Sequence, residues 1–183
     1  MLAVFLSRLR RPPRSTLFPY TTLFRSNLDN RILDSRDYRI GGTQALLNGL
    51  GVRPGRVCFE ISERHKINTD SATETLSVYR RQGYRLAIDD FGAGYAGLAL
   101  LYDQQPDILK IDRFFISDIP RDEKKRLFVT AMVELAHALD IQVIAEGVET
   151  TEELAACRSV GCDLAQGWHI GMPKPFPGPF PGN

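Results

Sequence analysis

The sequence predicts an α/β fold built on a parallel sheet, and two observations carry the prediction. The first is a recurrence: FEISE at 59–63, AIDDFG at 87–92, ILKID at 108–112 and VIAEGVE at 143–149 each set acidic or basic residues against a β-branched apolar run. Strands of a parallel sheet buried on both faces read as near-continuous apolar runs, and in a (β/α)8 barrel the chemistry lies at their carboxyl ends. Glu60, Asp89, Asp90, Lys110 and Glu146 fall at or near those ends. The second is that helical patterns fill the intervals, and strands alternating with helices through short joints make a parallel sheet.

Taken in order, strands are expected near 57–61, 85–89, 107–111, 141–145 and 163–168. A helix over 70–82 follows Asn68-Thr69-Asp70, sets Leu76 and Tyr79 on one stripe and ends at Gly83. A second, over 122–139, places Leu127, Ala131, Met132, Leu135, Ala136 and Leu139 at helical spacing. Thr150 and Glu153 form a capping box ahead of a third, with Leu154, Cys157 and Val160 on one face and Gly161 as the stop.

Composition sets bounds. At 183 residues, 43% hydrophobic and 25% charged, the chain suits a single soluble domain, with no apolar run long enough to span a membrane. Cys58, Cys157 and Cys162 lack zinc or redox spacing and each falls in an apolar pattern, which predicts reduced packing residues in a cytoplasmic protein. His65, His137 and His169 are scattered and read as surface or packing residues.

The two ends differ from the middle. Residues 1–26 hold Arg8, Arg10, Arg11, Arg14 and Arg25 and no acid, so without them the formal charge falls from +1 to −4. A secretory signal would put the positive charge before its apolar stretch, and Pro12, Pro13 and Pro19 make a poor nucleic-acid arm. LFPYTTLFRS, residues 17–26, resembles the translation of a common sequencing-adapter oligonucleotide. Residues 1–26 are accordingly expected to be a non-native segment fused to a truncated gene, and the Pro/Gly-rich residues 174–183 an extended tail.

Each candidate has an ordinary alternative. Adjacent acids after a strand often form turns or caps, and Asp89 and Asp90 can share a site only where the strand ends between them. A lone Lys110 reads as solvated, and Glu146 and Glu149 as acids opening the helix that Thr150 caps. Gly92-Ala-Gly94-Tyr-Ala-Gly97 fits a dinucleotide-binding fingerprint, which raises an oxidoreductase as a rival. Two carboxylates just before those glycines would repel a pyrophosphate. No acid closes a second strand about 20 residues on either, because Lys110 and Asp112 arrive too early. The glycines are better explained as a mobile loop.

As a set, Asn27-Leu28, Glu60-Ile-Ser-Glu63, Asp89-Asp90-Phe-Gly-Ala-Gly-Tyr95, Lys110-Ile-Asp112, Glu146-Gly-Val-Glu149 and Gln166-Gly167 follow the order and approximate spacing of a known family. Residues 27–173 resemble the C-terminal two-thirds of the EAL domain of bacterial cyclic di-GMP phosphodiesterases. The departures are Ser62, Ala93, Ala96 and Gly97, where Thr or Ser is usual. The family's Glu-Ala-Leu motif, with a metal-binding Glu and a substrate-contacting Arg, is expected ahead of Asn27 and is not in this sequence.

The resemblance implies hydrolysis of cyclic di-GMP to linear pGpG in second-messenger signalling. That reaction needs hydroxide at neutral pH and charge neutralisation on the attacking and leaving oxygens, which two metal ions about 3.5–4 Å apart supply. Hard oxygen ligands suit two Mg²⁺ or Mn²⁺ ions. By the resemblance Asn27, Glu60, Asp89 and Asp90 are metal ligands, Lys110 orients or polarises the water, and Glu146 ligates or accepts its proton. Gln166, Glu63, Asp112 and Glu149 support the site. Phe91, Gly92, Gly94 and Tyr95 form a regulatory loop coupling dimerisation to the metals.

It also implies a homodimer in the intact parent, with regulatory or sensory domains upstream, cyclic di-GMP as ligand and no DNA partner. A barrel of this kind needs about 250 residues and eight strands, whereas residues 27–183 number 157. The expected architecture is therefore an incomplete (β/α)8 barrel, roughly strands 4–8 with the end of strand 3, from an active parent and itself inactive. The alternative is an inert cyclic di-GMP receptor or protein-interaction EAL module.

Overall fold

The computed structural model describes residues 2–3, 7–9, 24–28, 42–63, 70–94, 97–172 and 174–175. Its strands are β1 (Leu2–Ala3), β2 (Ser7–Arg8), β3 (Phe24–Asn27), β4 (Val57–Ser62), β5 (Arg85–Phe91), β6 (Ile108–Ile111), β7 (Gln142–Ala145), β8 (Leu164–Ala165) and β9 (Lys174–Pro175). Its helices are α1 (Gly42–Gly49), α2 (Asp70–Arg81), α3 (Gly97–Gln104), α4 (Arg113–Ile116), α5 (Glu123–Ala138) and α6 (Thr151–Val160), with a 3-10 turn at Pro54–Arg56. Strands β3 to β8 pair in parallel, each with the next. With β2 they form a seven-stranded sheet in the order β2-β8-β7-β6-β5-β4-β3. Among the described residues that sheet is an open half-barrel, with β3 paired on one side only.

Strand alternation divides the apolar residues between two layers. Phe59, Ile61, Leu86, Ile88, Leu109, Ile111 and Val143 face the helices and join Leu76, Tyr79, Val129, Val133 and Cys157 in one core. Phe59, Tyr79 and Tyr84 anchor it, their ring centroids 4.7 to 5.4 Å apart. The opposite face is a small second cluster of Cys58, Ala87, Ile108, Ile144 and Leu164 inside the barrel. Two residues further along the same strands come Glu60, Asp89, Lys110, Glu146 and Gln166. The floor of the barrel and the candidate site are thus successive inward-facing layers.

The expected strands and helices form, with informative differences. β5 runs on to Phe91 because its ladder to β6 shifts register between Ile88 and Phe91 and Asp90 adopts φ 55°. β8 is only Leu164–Ala165. The Thr150–Glu153 capping box is complete, and Gly161 closes α6 at φ 99°. In α5, Val129, Val133 and Ala136 face the core, whereas Leu127, Ala131 and Leu135 are exposed. Of the six residues that the sequence sets at helical spacing, Met132 and Ala136 pack against the core and the other four are exposed. All three cysteines are free and buried, and burial pushes the Cys58 thiol up to about 12, helped by Glu60 and Asp107.

The sequence predicts that residues 1–24 stand clear of the barrel. The structure instead pairs Ser7–Arg8 antiparallel with β8 and sets Leu9 and Phe24 against the core. Ladder hydrogen bonds are made by the backbone and need no particular side chain, so an open sheet edge accepts such a segment whatever its origin. Phe18, Leu23, His65 and residues 176–183 lie outside the described residues.

Candidate active site

Each site residue sits where a parallel strand ends. Asn27 closes β3 in register with Glu60 on β4, and the ladder continues through Leu28 N donating to Glu60 O at 2.8 Å. Asn27 is exposed, whereas Glu60 is buried. Asp89 and Asp90 occupy the irregular end of β5, Lys110 lies near the end of β6, and Glu146 and Gln166 directly follow β7 and β8.

Lys110 is the hub. Its Nζ lies 2.6 Å from Asp89 Oδ1, 2.9 Å from Glu146 Oε1 and 3.2 Å from Glu60 Oε1. Only 3% of the residue is exposed, so it is not the solvated lysine its sequence context suggests. Burial alone would favour the neutral amine, but Glu146, Glu60 and Asp89 together hold the ammonium well above the usual lysine value. Burial opposes ionisation of Asp89 as well, yet the charge and hydrogen bond of Lys110 win and keep its carboxyl below the ordinary range. Burial pushes Glu146 up to about 7, against the pull of Lys110 and with a push from the Asp89 charge. Two neighbouring carboxyls thus have proton affinities driven apart, the pattern that marks acid and base roles.

The geometry also resolves how two consecutive acids share a site. The positive φ of Asp90 turns the chain at the irregularity in β5, so Asp89, Asp90 and Glu146 each present a carboxylate oxygen within 4.8 Å of the others. Beside them, Glu60 Oε1 is buried without a hydrogen-bond donor, its approach to Lys110 being an ion pair without hydrogen-bond geometry. Three converging carboxylates are hard oxygen donors that fit a divalent cation.

The supporting residues divide by role. Glu63 is buried and accepts from Gly92 N at 2.6 Å and Gly97 N at 2.8 Å. It ties the glycine loop to β4 and occupies the amide donors that a pyrophosphate would need, which argues against a dinucleotide site. Gly92 has φ 94°, and a Cβ there would run into the Phe115 ring. Phe91 is buried beneath the loop and Tyr95 lies outside the described residues. Asp112 caps α4 by accepting from Phe114 N. Glu149 pairs with Arg113 at 2.8 Å on the rim. His137 pairs with Asp163 at 2.9 Å, away from this cluster, and His169 is exposed.

Sequence reasoning missed Arg25. It is in register with Cys58, and its Nη1 donates to Gln166 Oε1 at 2.6 Å and lies 3.6 Å from Glu60 Oε1. Strand parity carries the signal, since Arg25 stands two residues before Asn27.

A parallel α/β half-barrel with acids and a lysine gathered at the carboxyl ends of its strands places the chain in the TIM-barrel class. A family model described as EAL domain matches residues 2–173, and the chain belongs to that family. It is 42% identical over 109 residues to the cyclic di-GMP phosphodiesterase NbdA of Pseudomonas aeruginosa, covering 60% of this chain and 14% of NbdA. It is 36% identical over 132 residues to the cyclic di-GMP phosphodiesterase RocR of the same organism, covering 72% and 34%. Among solved structures, the manganese and cyclic di-GMP complex of Klebsiella pneumoniae BlrP1 is similar at TM-score 0.78 and 38% identity, over 82% of this chain and 39% of that one. The chain therefore spans well under half the length of each of these proteins.

Proposed function

We propose that the domain of which this chain is part hydrolyses cyclic di-GMP to linear pGpG with two Mg²⁺ or Mn²⁺ ions. The single observation that carries the reading is the convergence of Asp89, Asp90 and Glu146, whose carboxylate oxygens lie within 4.8 Å of one another. Asn27, Glu60, Asp89 and Asp90 would hold the ions, which when bound supply a hydroxide nucleophile and neutralise charge on the phosphodiester. Lys110 fixes three carboxylates in one orientation and offers its ammonium to the attacking water. Glu146 would ligate an ion or take up the proton that the water loses. Gln166 holds its amide at the rim, Glu63, Asp112 and Glu149 fix the surrounding loops, and Phe91, Gly92, Gly94 and Tyr95 form the controlling loop.

The test compares this chain with a protein in which the family's Glu-Ala-Leu segment precedes Asn27. The extended protein is expected to convert cyclic di-GMP to pGpG with Mg²⁺ or Mn²⁺, read by chromatography of the nucleotides, and the chain alone to convert negligibly. Turnover by the chain alone at the extended protein's rate sinks this reading. It assigns residues 1–26 as a non-native lead, 27–173 as part of an EAL domain and 174–183 as a tail.

We also propose a cytoplasmic homodimer under upstream regulatory or sensory domains. The outward stripe of α5, with Leu127, Phe128 and Leu135 exposed, continues onto Leu98 of α3. Between the helices a cavity of about 380 Å³ reaches Glu63, Gly92 and Gly94, so a second subunit there would press on the glycine loop. Among the described residues no helix is long and apolar enough to cross a membrane. Leu135→Glu is expected to shift the protein from dimer to monomer in sedimentation velocity; an unchanged dimer rejects this face.

A further inference from the structure

Arg25 lies in the inward-facing layer that elsewhere consists of Cys58, Ala87, Ile108, Ile144 and Leu164. A guanidinium in that layer stays charged and must find anionic or carbonyl oxygens. It finds Gln166 Oε1 at 2.6 Å and Glu60 Oε1 at 3.6 Å, with its side chain 10% exposed. The first of these contacts bridges the mouth of the open barrel, from β3 to the residue that follows β8. The second places a permanent positive charge against the buried oxygen that otherwise has no hydrogen-bond donor. Lys110 approaches that oxygen from its own side at 3.2 Å. Glu60 is therefore flanked by two cations, while Asp89 and Glu146 each pair with Lys110.

We propose that in this chain the Arg25 guanidinium, contributed by the lead segment that precedes Asn27, is seated between Glu60 and Gln166, where it competes with a divalent ion for Glu60 and leaves one ion seat, at Asp89, Asp90 and Glu146. The proposal rests on the metal reading above, and the repulsion between a guanidinium and a divalent ion in a site of low dielectric is its physical basis.

Mn²⁺ titration of the whole chain, of Arg25→Gln and of Arg25→Lys tests it, following the paramagnetic resonance signal of free Mn²⁺, with circular dichroism melting as the check of folding. The whole chain and Arg25→Lys are expected to bind one Mn²⁺ per chain with similar affinity. Arg25→Gln, which keeps length and polarity but loses the charge, is expected to bind Mn²⁺ about tenfold or more tightly, the scale on which residues around metal ligands act. An arginine with only a structural role would lower the melting temperature in both variants and leave Mn²⁺ affinity unchanged, and that result overturns the proposal. Should Arg25→Gln fail to fold, the stoichiometry of the whole chain decides. One Mn²⁺ supports the proposal, and two overturn it. No Mn²⁺ uptake by any of the three proteins overturns the metal reading and the proposal together, whereas equal affinity in all three removes Arg25 alone.

Discussion

Lys110→Met is expected to cost about 3–5 kcal/mol of folding stability at pH 8, the scale for removing one partner from a buried charge cluster. Lys110 has carboxylate oxygens of Asp89, Glu146 and Glu60 at 2.6, 2.9 and 3.2 Å, and methionine fills its volume while leaving those charges to repel one another. The sign with pH follows from proton uptake. As pH falls the carboxylates gain protons and the repulsion fades, so the penalty shrinks toward pH 5. The unmutated chain has a slope of its own. Glu146 is raised from 4.5 to about 7, so between those values the folded chain holds a proton that the unfolded chain has released. Stability therefore falls as pH rises through that window and levels off above it. Urea unfolding of both proteins at pH 5, 6.5 and 8 measures the two effects. A Lys110→Met protein as stable as its parent at pH 8 would show that the cluster is solvated rather than held by this lysine.

Lys110 also shows what the sequence could and could not reveal. Its place near the end of a strand was legible in the run Ile108-Leu109, but burial was not, because a lone lysine after a strand is ordinarily solvated. What buries it is the meeting of three other strand ends, a tertiary fact with no local signal. The Asp89-Asp90 pair was legible as chemistry and opaque as geometry. Alternation sends consecutive strand residues to opposite faces, and only the left-handed turn at Asp90 brings both to one side. The apolar spacing of α5 was legible as a helix but not as a surface: helical periodicity locates apolar residues without saying what covers them, and Leu127, Ala131 and Leu135 face outward. Local signals that need no partner, such as the Thr150–Glu153 box and the Gly161 stop, were read correctly to the residue. Arg25 went unnoticed because its segment was set apart from the barrel, although parity with Asn27 points it inward.

In the extended protein, Asp89→Asn is expected to lower kcat for cyclic di-GMP by about 10²–10³-fold or more, the loss that follows removal of one group stabilising transition-state charge. The substitution keeps shape and replaces one oxygen by an amide. Asp89 Oδ1 accepts from Lys110 Nζ at 2.6 Å and from Asp90 N at 3.1 Å, so the site loses charge where the hydrogen bonds of the carboxylate are densest. Lys110 keeps Glu60 and Glu146, which argues that folding survives. Activity should therefore fall much further than stability. Glu60→Ala is expected to abolish turnover too, by removing one of the carboxylates proposed to hold the ions. Single-turnover assays at saturating Mn²⁺, with melting curves alongside, separate a catalytic loss from an unfolded protein. An Asp89→Asn protein that folds and keeps full turnover would mean that this carboxylate, low in proton affinity and central to the cluster, serves only to hold Lys110 in place.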